Sequence, residues 1–150
     1  MLVTRAPEDI EIMLDDEKTE VVISAAVDED DYCPEEGVSV SFARWLSSEI
    51  GIRGLNAQGL RSLANTLRTR GGTFAEGHVL VSQNDDGPGA HLQIGTGDTS
   101  GVGIGCLVDV FLTEDDLTRL TAALGQFAAL VEPFEALVEA TWALDAVAIT

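Results

Sequence analysis

Ile10, Ile12 and Leu14 alternate with Glu11 and Met13, the two-residue period of a strand with one buried face. Asp15-Asp16-Glu17-Lys18 reads as a hairpin turn, and Thr19 to Val27 as a β-rich return strand. Asp28 to Gly37 is an acidic loop by composition. Val38, Val40 and Phe42 alternate with serines, which predicts a short strand or the lead-in to a helix. Ala43 to Ile50 fits a short helix with Trp45 or Leu46 and Ile50 inward, ended by Gly51. Asn56 is placed to cap a helix from Ala57 to Arg70, whose Leu60, Leu63, Ala64 and Leu67 form one apolar face. Gly71-Gly72 is a natural stop for it.

In the second half, His78 to Ser82 and Ala90 to Ile94 read as paired strands across the turn cluster Asn84 to Gly89. Gly95 to Gly103 is a glycine-rich connection, and Ile104 to Leu112 is a near-continuous apolar strand. Thr113, with Asp116 three residues on, forms a capping box that opens a helix to about Val131. Asp115 and Arg119 are spaced to pair along it. Pro133 is expected to break that helix, and Phe134 to Leu144 to form another.

These elements predict an α+β chain forming one domain over residues 1–150. It has an antiparallel sheet of about five to six strands, with about two to four helices packed mainly on one face. Leu55, Leu60, Leu63 and Leu67 share their spacing with Leu112, Leu117, Leu120 and Leu124, 57 residues later, which suggests a pseudo-duplicated β/α unit. In general terms the low pI and the βββα-like second half resemble small acidic chaperones and immunity or inhibitor proteins, although no motif selects one of them.

Charge alters the picture most. The chain has 26 acids against eight lysines and arginines, a formal net charge of −18. The first 36 residues hold 13 acids and two bases, residues 37–75 one acid and five arginines, and residues 76–150 12 acids and one arginine. Such a surface disfavours free nucleic acid and anionic membranes and favours a cationic partner. No apolar run reaches the ~18–20 residues of a membrane span. The start turns acidic at once and lacks the apolar stretch of a signal peptide. Two cysteines 73 residues apart, Cys33 and Cys106, make neither a zinc motif nor a disulfide framework. Reduced thiols and a cytoplasmic location are expected.

Candidate chemistry is thin. His78 and His91, with Asp85 or Asp86, would give a small metal-binding domain or enzyme if the hairpin brought them together. They lack the spacing of a metal motif. The run Gly95 to Gly105 fails both the dinucleotide and the P-loop patterns, and a strand follows it rather than a helix. Ala43 to Leu67 resembles a helix–turn–helix with Arg61, Asn65 and Arg68 outward, but the overall charge argues against DNA binding. No catalytic residue, metal or cofactor is assigned.

The reading that remains is a non-enzymatic acidic protein that binds a basic protein surface, as an inhibitor, immunity protein or adaptor, its acids standing in for phosphates as in a DNA mimic. The expected contact residues are Asp15, Asp16, Glu17, Asp28, Glu29, Asp30, Asp31, Glu35 and Glu36. The other alternative is a self-associating structural or assembly subunit, a homodimer through the apolar helix from Phe134 to Leu144.

Overall fold

The computed structural model describes residues 7–28, 31–44, 49–74, 79–84, 87–95 and 107–149. The chain is α+β. Strands β1 (Ile10–Met13), β2 (Thr19–Ala25), β5 (Val38–Arg44) and β6 (Glu49–Leu55) form one antiparallel sheet in that order. A small hairpin, β3 (Val27–Asp28) and β4 (Asp31–Tyr32), is inserted between β2 and β5. Helix α1 (Ala57–Thr69) follows β6. A second four-stranded antiparallel sheet runs β10 (Leu107–Leu112), β9 (Ala90–Gly95), β8 (Val79–Gln83), β7 (Gly72–Phe74), and α2 (Glu114–Ile149) ends the chain.

The expected single sheet of about five to six strands is therefore corrected to two four-stranded sheets and a two-stranded hairpin, with two helices, among the described residues. The described elements of the two halves follow the same order. Each half is a four-stranded meander followed by a helix, and Leu55 and Leu112 are the last residues of equivalent strands. The β3–β4 hairpin lies between β2 and β5 of the first half. The corresponding connection from β8 to β9, residues 84–89, falls only in part within the described residues.

Alternation decides which face of each sheet is inside. Ile23 stands opposite Val40 and Val21 opposite Phe42, and all four are buried. Val81 and Val110 flank Leu92 in the same way. The helices pack against each other and complete a core that draws on both halves, through Leu60, Leu63 and Leu67 from α1 and Leu120, Leu124 and Phe127 from α2.

Three local expectations fail for physical reasons. Ala43 to Ile50 is not a helix. Ala43 and Arg44 extend β5 opposite Glu20 and Thr19, and Glu49 and Ile50 open β6. An eight-residue helix barely repays its nucleation, whereas β5 pairs with β2 along its whole length. This also removes the helix–turn–helix reading. Helix α1 ends one residue early, with Arg70 itself in the left-handed conformation (φ 51°), and Gly72 starts β7 instead of serving as a stop. Pro133 lies inside α2. The bond it cannot donate would go to the Ala129 carbonyl, and both residues are on the exposed side, where that carbonyl is open to solvent instead of stranded in the core.

Candidate binding site

The β1–β2 turn is tied down by its own acids. The Asp16 carboxylate accepts from the Lys18 and Thr19 amides at 2.8 and 2.9 Å and from the Thr19 hydroxyl at 2.8 Å. Asp15 accepts from the Thr113 hydroxyl and from Arg119. Asp15 also donates its amide to Asp116 at 3.0 Å. Asp116 is fully buried and forms the expected capping box with Thr113, each amide bonded to the other's side chain at 3.0 Å. Arg119 binds Asp116 at 2.6 Å and the Met13 carbonyl at 3.0 Å. It thereby occupies part of the free edge of β1, an otherwise open template for strand pairing. Of the expected contact residues, Asp15 thus joins the first sheet to the start of α2 and Asp16 fixes the turn itself, with Glu17 exposed beside them.

The second acidic group lies at the other end of β2, seven residues away, roughly 20 Å along a strand. Its members are not contiguous with the turn. Here Asp31, Glu35 and Glu36 are exposed, and among the described residues none makes an ion pair. Glu8 and Asp9, which sequence reasoning did not single out, are exposed at the same end, because β1 runs antiparallel to β2 and starts opposite Ile23. The alternation that placed Ile10 on β1 would have located them. Asp28 and Asp31 are direct partners in the hairpin register. Glu29 and Asp30 lie outside the described residues, as does the side chain of Asp28. Val27 is 53% exposed among these acids.

Tyr32 anchors the hairpin. It is buried and meets Phe134 of α2 edge-on, with ring centroids 5.6 Å apart. Burial, then the nearby Glu135 carboxylate and Cys33, push its phenol up from 10.0 to about 12. A raised folded-state pKa means the stability from neutral Tyr32 is complete below pH 10 and is lost as pH rises towards 12. Tyr32 is the only tyrosine. The ultraviolet tyrosinate signal of the native protein should therefore titrate near 12 instead of 10, and Tyr32→Phe should flatten the alkaline loss of stability. An unperturbed titration would contradict this placement of the hairpin.

Beside the hairpin, β6 carries one extra residue. Val38 pairs with Leu55 and Val40 with Ile52, so three steps on β6 oppose two on β5. Gly54 takes φ +73°, the left-handed glycine of a bulge. The bulge puts Arg53 at the wall of a cavity of ≈ 410 Å³, which Ser24, Ser39, Glu36 and Gly37 also line. The Ser24 and Ser39 hydroxyls share a hydrogen bond of 3.0 Å.

Among the described residues, the central arginines make no ion pair with the first acidic block. Arg61 pairs with Glu132 and Arg70 with Glu114, both acids of the second half. Arg53 and Arg68 are exposed and make no ion pair with a described acid.

On the outer face of the second sheet, His91 stacks on Phe111 at 4.4 Å and bonds Asp109 at 2.9 Å, and Gln93 joins the same carboxylate at 3.3 Å. His78, Asp85, Asp86, Cys106 and the glycine run over 96–105 lie outside the described residues, as do the side chains of 137–149 that would carry a dimer face. Among the described residues no three potential ligands cluster as a metal site. None of the described helices is long and apolar enough to cross a membrane. No protein-family model matches the chain, and no curated protein matches it significantly in sequence.

Proposed function

We propose that the protein is a non-enzymatic binding protein whose β3–β4 end engages a basic surface on another protein, as an inhibitor, immunity protein or adaptor does. The observation that carries this is the hairpin itself. It is inserted between β2 and β5, outside the four-stranded sheet, and its register sets Asp28 directly opposite Asp31. Like charges facing each other across a strand pair weaken it. The fold bears that cost at an anchored element, and among the described residues the exposed Asp31, Glu35 and Glu36 make no ion pair. Exposed carboxylates in this arrangement steer a cationic partner and set its orientation, and Val27 supplies an apolar contact among them.

Reversing Asp31, Glu35 and Glu36 to lysine tests this. A basic partner captured from host extract by the wild type should be released by salt and lost from the triple variant. Glu17→Lys, at the opposite end of β2, should leave capture unchanged. Equal capture by the wild type and the triple variant would remove the proposal.

A further inference from the structure

We infer that the cleft over the β6 bulge is a binding site for a small zwitterion, a ligand carrying a free amino group and a free carboxylate on one short frame, of the dipeptide class. The cavity of ≈ 410 Å³ lies in the range of small-molecule sites, about 300–1,000 Å³. Its charged lining is one cation and one anion, Arg53 and Glu36, and among the described residues neither makes an ion pair. The planar guanidinium of Arg53 presents paired donors that match a carboxylate. Glu36 only accepts, and its complement is an ammonium group. In the same lining, the Ser24–Ser39 pair uses one hydroxyl hydrogen internally and leaves the other for a ligand acceptor.

The local main chain is largely committed. Ala26 donates to the Gly37 carbonyl at 2.9 Å and Cys33 to the Ala26 carbonyl at 2.8 Å, so recognition falls to the side chains. The two glycines play different parts. A Cβ on Gly37 would come within 2.8 Å of the Leu55 carbonyl oxygen, so the backbones close tightly there. A Cβ on Gly54 would meet nothing within 4 Å.

Net charge narrows the ligand class. A plain anion is repelled by a chain of charge −18, and a plain cation is drawn to any of its acids. A zwitterion feels little of that long-range field. Its selection depends on a local pair of opposite charges with hydroxyls in the same lining, and this cleft provides one.

The probe is L-alanyl-L-alanine, compared by calorimetry with its N-acetyl derivative, which lacks the ammonium group, and its C-terminal amide, which lacks the carboxylate. The free dipeptide should bind saturably at one site, with each blocked form weaker by on the order of tenfold, the loss of one charge-assisted contact. Arg53→Gln should abolish discrimination against the amide, and Glu36→Gln discrimination against the acetyl form. Both side chains are exposed, so circular dichroism should show folded variants. No saturable binding at millimolar dipeptide, equal binding of the three compounds, or an Arg53→Gln variant that discriminates like the wild type would each overturn the inference. Arg53→Gln leaves the acids of the hairpin untouched, so this site and the protein-binding surface fail separately.

Discussion

Replacing Asp116 with alanine is expected to destabilise the protein by about 3 kcal/mol, because one buried carboxylate serves three donors at once. Its oxygens accept from the Thr113 amide, the Asp15 amide and the Arg119 guanidinium. Alanine would leave both amides without this acceptor and take from Arg119 its shortest ion pair. Arg119 is 39% exposed, so water recovers part of its loss, and the expected cost is at the lower end for a broken buried pair. For a chain of this length, about 3 kcal/mol corresponds to a melting point lower by roughly 6–12 °C. Asp116→Asn keeps the shape and one acceptor and should fall between alanine and wild type. A melting point for Asp116→Ala within about 2 °C of the wild type would contradict the joint.

Gly89→Ala should cost at least about 3 kcal/mol, combining backbone strain with a backbone clash. Gly89 adopts φ +113°, where side chains are rarely tolerated, and an added Cβ would lie 2.1 Å from the Leu112 carbonyl oxygen. Leu112 ends β10 and Thr113 caps α2, so neither can retreat without disturbing the joint made by Asp116. Gly87→Ala, in the same turn, meets nothing within 4 Å and should change stability by less than about 0.5 kcal/mol. Urea denaturation of the two variants side by side checks both values, and equal midpoints would show that the close approach is not real.

What was legible in the sequence was local. The Thr113–Asp116 capping box, the Asn56 cap and the buried leucines of both helices depend on residues within one or two turns of each other, and all are present. Asn56 accepts from the Gly59 amide at 2.8 Å, as its position implied. What escaped was decided by distant partners. Ala43 and Arg44 join a strand because β2 lies alongside, and no property of those residues announces it. Pro133 is tolerated because of the side of α2 it occupies.

The site divides along the same line. The acidity of residues 28–36 is plain from composition. Three other features are set by distant parts of the chain: that Asp15 belongs to a structural joint with α2, that Glu8 and Asp9 join the hairpin end, and that Arg53 reaches a cleft through a bulge. Arg61 and Arg70 pair with Glu132 and Glu114, acids far away along the chain, and nothing local to the two arginines announces those partners.

Amide resonance mapping of the protein as a basic partner is added reports most directly on the proposed binding face. Shifts concentrated at Glu8, Asp9 and residues 27–37, weakening as salt is raised, are the predicted result. Shifts centred on the Asp15–Lys18 turn, or spread evenly over both sheets with no dependence on salt, would contradict it.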